Sequence, residues 1–142
     1  MKPFLVSIIV PCYNVEDYIS DCLDSAISQT YRPIEIIAID NNSIDNTFSI
    51  LKEYEVNYPR LIKVIREKKQ GASATRNKGL SVASGKWIQF LDADDIIYPN
   101  KIKSQIELVK DNKQIIVVIG IYQHEKKDGT KQESVPLEKS TQ

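Results

Sequence analysis

The sequence predicts an α/β fold, a three-layer, doubly wound and mostly parallel sheet, and three observations predict it. Short apolar runs rich in β-branched residues lack the alternation of a half-exposed strand, as strands buried on both faces do. Each run is followed by a stretch with helical apolar spacing, so strand and helix alternate along the chain. Polar residues able to do chemistry collect directly after the strands, where open α/β sheets bind their ligands.

The elements follow in order. Residues 5–10 form the first run, closed by Pro11. Val15, Tyr18, Ile19, Cys22, Leu23, Ala26 and Ile27 then recur at helical spacing, with Asn14 placed to cap and Asp17 three residues later. Residues 34–39 are the second strand, and the cluster Asn42, Ser43, Asp45 opens a helix with Phe48, Leu51, Tyr54 and Tyr58 as its apolar positions. Residues 61–65 are the third strand, 71–84 a small-residue helix ended by Gly85, and 86–91 the fourth strand. A helix over 98–110 turns Ile102, Ile106 and Val109 inward; a fifth strand over 115–121 leads to a hairpin through Asp128 and Gly129. A single domain over 1–131 is expected, followed by a polar tail over 132–142 that shows no period.

Composition narrows the functional classes. The chain has 142 residues, which allows one solid core but not two. Nineteen basic residues balance nineteen acidic ones and are scattered, so no field exists to hold a polyanion and nucleic acid is not an expected partner. Cys12 and Cys22 are too few for a disulfide framework, which suits a reducing, cytoplasmic setting. No apolar run approaches the roughly 20 residues that span a bilayer. The apolar start of the chain reads as a buried strand rather than a leader; peripheral membrane association through a further C-terminal part stays open.

Asp92, Asp94 and Asp95 put three carboxylates within four residues, a crowding that calls for a cation or hydrogen bonds. No Cys or His lies beside them, so the ligand set is hard oxygen and suits Mg²⁺ or Mn²⁺, which would also hold phosphate oxygens. The spacing of oxygen ligands and glycine excludes an EF-hand at residues 40–47 or 92–99. Each candidate also has a plainer reading. Asp95 can cap the next helix, Asp40 can make an Asx-turn, Tyr13 and Asn14 can be a staple and a cap, and Arg76 can be a surface ion pair. Cys12, Cys22 and His124 lack any nucleophile–base pattern and read as structural.

Together these segments resemble family 2 glycosyltransferases of the GT-A fold. VSIIVPCYNVEDYI resembles that family's opening strand, EIIAIDNNSIDNT its acidic second-strand motif, GASATRNKGL its third-helix motif and FLDADD its DXD metal motif. The match runs roughly from Val6 to Pro99. The resemblance implies that Pro11, Tyr13 and Asn14 hold the nucleoside, with the Tyr13 ring on uracil. It makes Asp40 the first acidic position of its motif. The second, which in the family hydrogen-bonds the base, is here Asn41, an amide that keeps a donor and an acceptor but does not imply strict uracil selection. Arg76 and Asn77 line the donor pocket. Asp92 and Asp94 are the DXD pair, Asp92 also lying against the nucleotide and Asp94 on the metal, and Asp95 faces the donor sugar.

The function so implied is metal-dependent, inverting transfer of a sugar from a nucleotide-diphosphate donor, a UDP-sugar, to a saccharide or lipid-linked acceptor. The general base and acceptor site lie in a second half of such enzymes, so this chain is expected to bind donor and metal with little transfer. A sugar nucleotidyltransferase would show a glycine-rich loop after the first strand, where this sequence has PCYNVED. A phospho-accepting receiver module would need acids after strands one and three, where none is suitably placed. A non-catalytic nucleotide-sugar-binding module remains the other reading.

Overall fold

The structure, a computed structural model, describes residues 2–115, 123–125 and 128–133. The elements in chain order are β1 (Val6–Cys12), α1 (Ile19–Ile27), β2 (Ile34–Asp40), α2 (Thr47–Asn57), β3 (Ile62–Arg66), α3 (Ala72–Val82), β4 (Trp87–Phe90), α4 (Lys101–Val109), β5 (Gln123–Glu125) and β6 (Lys131–Glu133). The chain divides into two compact units between Lys103 and Ser104.

In the first unit, β1 to β4 form one sheet in the order β3-β2-β1-β4, parallel throughout. The β-branched runs explain its centre. Ile9, Ile37 and Ile39 form a buried cluster with Val82 and Ala83 of the α3 end packed against it. Side chains alternate across a strand, so Ile8, Val10, Ile36 and Ala38 face the other way, and they too are fully buried. Both faces of β1 and β2 are therefore covered, and each buried Ile or Val contributes about 1.5–3 kcal/mol of transfer free energy. Helix α3 comes very close to this sheet. A Cβ on Gly79 would sit 2.5 Å from the Ile9 Cγ2 methyl and 3.0 Å from the Ile39 Cδ1 methyl, so only glycine permits the approach.

Helix starts differ from the pattern in the sequence. Helix α1 begins at Ile19 because Asn14 takes a left-handed conformation, φ 49°, and residues 16–18 turn before the helix. Asn14 is therefore not a helix cap: Tyr18 occupies that position, without a side-chain cap bond. Helix α2 likewise begins at Thr47, after Asn42 at φ 61° and an Asp45 carboxylate that accepts the Thr47 N–H at 2.9 Å.

In the second unit, β5 and β6 pair antiparallel around Gly129, φ 81°, with Asp128 accepting the Thr130 N–H at 2.9 Å. This is the expected hairpin. Residues 116–121 of the expected fifth strand and 134–142 of the expected tail lie outside the described residues. No helix among the described residues is long and apolar enough to cross a membrane.

Candidate functional site

The strand order sets the place. From β1 the chain runs outward to β2 and β3 on one side and returns to β4 on the other, so the order reverses between β1 and β4. In open α/β sheets ligands bind outside the carboxyl ends of the strands at such a reversal. Cys12, Asp40 and Arg66 lie side by side in register at the ends of β1, β2 and β3, and the acidic turn follows β4.

The loops after β1 and β2 are tied to each other. The Asn14 N–H donates to Ser43 Oγ at 3.1 Å, Val15 N–H to Thr47 Oγ1 at 2.9 Å, and Glu16 N–H to Asp45 Oδ2 at 3.2 Å. In return, Ile44 N–H donates to Asn14 Oδ1 and Asn46 N–H to Glu16 Oε2, both at 2.9 Å. Burial alone would raise the Asp45 carboxyl, but hydrogen bonds from Thr47 and the Glu16 amide outweigh it and hold Asp45 below the ordinary carboxylate range. Tyr13, between these ties and β1, is 53% exposed. Pro11 is half-buried at the end of β1.

A second set of ties fixes the loop between β3 and α3. Asn41 is buried, and its amide donates to the carbonyls of Glu67 and Lys69 at 2.8 Å each while its Oδ1 accepts the Gly71 N–H at 2.9 Å. Asn42 donates to the Lys68 carbonyl at 2.9 Å and Gln70 Oε1 at 3.2 Å. The base contact expected of Asn41 thus meets an amide whose two hydrogens are both on backbone carbonyls. Two carbonyls and one N–H around the side chain also explain an amide where the family pattern has an acid: a carboxylate would face the carbonyls with no proton to donate.

Asp40 is the anomaly of the site. It is 0% exposed, and among the described residues neither carboxylate oxygen has a hydrogen-bond partner. Arg66 compensates it, with Nε 3.5 Å from Oδ2 and the guanidinium 3.6 Å over the Phe48 ring. A buried carboxylate without hydrogen bonds is costly, so this pair is held in place by the surrounding fold.

At the end of β4 the chain turns tightly, the Asp95 N–H donating to the Asp92 carbonyl at 3.0 Å. Asp92, Asp94 and Asp95 are exposed, and Arg76 of α3 donates to Asp92 Oδ1 at 2.9 Å. Asn77 lies exposed beside Arg76. Beneath the turn, the Cys22 thiol donates to the Asp92 carbonyl at 3.5 Å. Burial, and then the nearby Asp95, Asp94 and Asp92 carboxylates, push this thiol up to about 12. Burial first, then Cys22 and Asp40, push the Cys12 thiol well up as well. Both cysteines stay protonated and unreactive at neutral pH.

Among the described residues no group of three or more His, Cys, Asp or Glu side chains is arranged to hold a metal ion. Mg²⁺ and Mn²⁺ do not need such a cage, because one or two carboxylates plus substrate phosphates suffice. The exposed pair Asp92 and Asp94 fits that requirement.

The model of glycosyl transferase family 2 matches residues 7–140. The chain belongs to this family. Its relatives include the glycosyltransferase YibD of Escherichia coli, uncharacterized, at 44% identity over 94 residues, and the glycosyltransferase GlyG of Streptococcus pneumoniae, at 34% over 125. These matches cover 66% and 88% of this chain but 27% and 42% of the relatives, so the chain spans less than half their length. Staphylococcus aureus TarS, solved as residues 1–349 in complex with UDP, superposes with a TM-score of 0.68 at 31% identity, over 75% of this chain and 32% of that one. The mannosyltransferase PcManGT of Pyrobaculum calidifontis, in complex with GDP-Man and Mn²⁺, gives a TM-score of 0.72 at 24% identity over 78% and 34% of the two chains. The family 2 membership and the GT-A fold implied by the four sequence motifs are both borne out.

Reading the sequence alone gives Arg66 no place in the site and Phe48 only an apolar position of α2. The available signal is a cation as the last residue of β3, in parallel register with Asp40.

Proposed function

We propose that this chain forms the donor site of a metal-dependent sugar transfer, with a UDP-sugar as donor and a saccharide or lipid-linked acceptor. The observation that carries the reading is the exposed carboxylate turn at the point where strand order reverses, with Arg76 on Asp92. TarS, 31% identical, has been solved with UDP, which supports uridine as the nucleoside.

Pro11, Tyr13, Asn14, Asp40, Asn41, Arg76, Asn77 and Asp92 make up the nucleotide wall. Tyr13 offers a ring face for the base. Asn14 and Asn41 act by fixing the loops that shape the wall. Arg76 orients Asp92, and its positive charge moderates repulsion among the clustered carboxylates. Asp92 and Asp94 would hold Mn²⁺ or Mg²⁺, Asp94 directly, and Asp95 faces the donor sugar. A divalent ion there offsets the negative charge that develops on a departing nucleoside diphosphate. Inversion at the anomeric carbon and peripheral attachment to the inner face of a membrane are part of the same reading. The general base has no assignment among these residues.

Calorimetric titration with UDP tests the proposal, with Mn²⁺ present, then with chelator, and with GDP as competitor. Metal-dependent binding that favours UDP is expected, with little sugar transfer by the 142-residue chain. Asp94→Asn should weaken metal-dependent UDP binding by about 3 kcal/mol. Equal binding with and without metal, or an unaltered Asp94→Asn variant, would refute the assignment.

A further inference from the structure

Arg66 is a cation that the nucleotide wall proposed above does not use. Arg66 ends β3 beside Asp40, in register, at the carboxyl edge of the sheet. Its side chain is more than half exposed, yet it is held from two sides: Nε is 3.5 Å from the buried Asp40 carboxylate, and the guanidinium plane lies 3.6 Å over the Phe48 ring. An arginine has five donors in a rigid fork, so a guanidinium fixed through Nε and one face keeps its terminal N–H groups for another acceptor. The cost of burying Asp40 without a hydrogen bond is unexplained by the fold alone, since a neutral residue would pack there more favourably.

Distance decides which part of a nucleotide Arg66 meets. Neighbouring strands are about 4.8 Å apart, so three steps from β3 to β4 separate Arg66 from the acidic turn by roughly 14 Å. A nucleoside diphosphate with its phosphates at Asp92 and Asp94 would extend its base back across β1 and β2, past Tyr13, toward Arg66. We propose that Arg66 is a base-reading residue, donating to a nucleobase carbonyl, and that Asp40 is the positioning residue that aims it. The inference rests on the donor-site reading and deepens it. It selects bases with a carbonyl on the recognised edge, uracil or guanine, over adenine, which presents an amino donor there. It also gives the fully buried Asp40 a role that needs no contact with the ligand.

The test is titration of UMP and UDP, with Mn²⁺, into the chain and two variants. Arg66→Lys keeps the charge beside Asp40 but loses the planar fork. The double variant Asp40→Asn with Arg66→Met removes both charges together, so that no uncompensated carboxylate stays buried; circular dichroism and thermal melting establish that each variant folds. Affinity for UMP and UDP should fall by about tenfold alike in both variants, since a hydrogen bond to a charged donor is lost. The preference over ADP should shrink with it. A loss seen with UDP but not UMP would put Arg66 on the diphosphate and overturn base reading. Unaltered affinities in folded variants would overturn it while leaving the donor site standing. Failure of the unmodified chain to bind either nucleotide would instead refute the donor site, and this inference with it.

Discussion

At the amino end of the four-stranded sheet, polar groups close on one another; at the carboxyl end the loops are laced together as well, but a buried carboxylate is left outside the lacing. Ser7 Oγ donates to Glu35 Oε1 at 2.5 Å and accepts the Gly85 N–H at 2.8 Å, while the Ser84 N–H donates to the same carboxylate oxygen at 2.7 Å. Nearby, the Tyr31 hydroxyl donates to the Phe4 carbonyl at 2.6 Å, and Lys86 lies over the Phe4 ring. The Trp87 indole N–H has no partner among the described residues, and it is a neutral group. At the other end the fully buried Asp40 carboxylate has no hydrogen bond among the described residues. Pairing of β1 with β2 runs from Val6 to Cys12, so between these strands the difference lies in what the polar side chains and loops do. Satisfied groups lower the free energy of the fold, and a buried carboxylate left unsatisfied needs an explanation beyond it.

The contrast is broken most severely at Gly85. A Cβ there would meet Ser7 Oγ at 2.5 Å and the Ser7 backbone nitrogen at 2.6 Å, and backbone cannot step aside. Gly85→Ala should therefore cost about 3 kcal/mol in urea denaturation, by overpacking, while the folded fraction still binds UDP. A smaller effect of opposite sense at the two ends sharpens the comparison. Ser7→Ala strands the Gly85 N–H and one contact of Glu35, for a loss of about 1–2 kcal/mol. Asp40→Leu should leave stability unchanged or raise it by about 1 kcal/mol, because a buried charge is exchanged for packing, and should weaken nucleotide binding. Equal destabilisation by both substitutions would abolish the distinction.

The smallest effect is at Asp45, whose carboxyl is held low by Thr47 and Glu16. A depressed folded value means that its contribution is complete above the ordinary carboxylate range. It is lost as pH falls through that range toward the folded value. Denaturation midpoints measured across acidic pH should slope less in Asp45→Asn than in the unmodified chain; identical slopes would show that the ties between the two loops do not depend on this charge.

How far the sequence reached depended on the range of the interactions involved. β1 and β2 were legible because an uninterrupted β-branched run has few alternatives to a strand covered on both faces. The acidic turn was legible because three carboxylates in four residues are an electrostatic statement in themselves. Asn14 was read as a cap since capping is local, yet its Oδ1 bonds Ile44, thirty residues on, and its own φ forbids a helix there. Asn41 was read toward the base, and its hydrogens lie on Glu67 and Lys69, which no local pattern pairs with it. Arg66 was seen only as the lack of an acid after β3. Its meaning comes from register with Asp40, and register exists only once the sheet is built.

The lacing of the loops after β1 and β2 also bears on the speed and heat of binding. Five hydrogen bonds between residues 14–16 and 43–47 restrict those segments before any nucleotide arrives. Ordering entropy that a loose loop would lose on association is already lost on folding. A nucleotide bound as proposed would meet a surface that does not have to wait for a loop to settle, so encounter geometry rather than rearrangement would set the association rate.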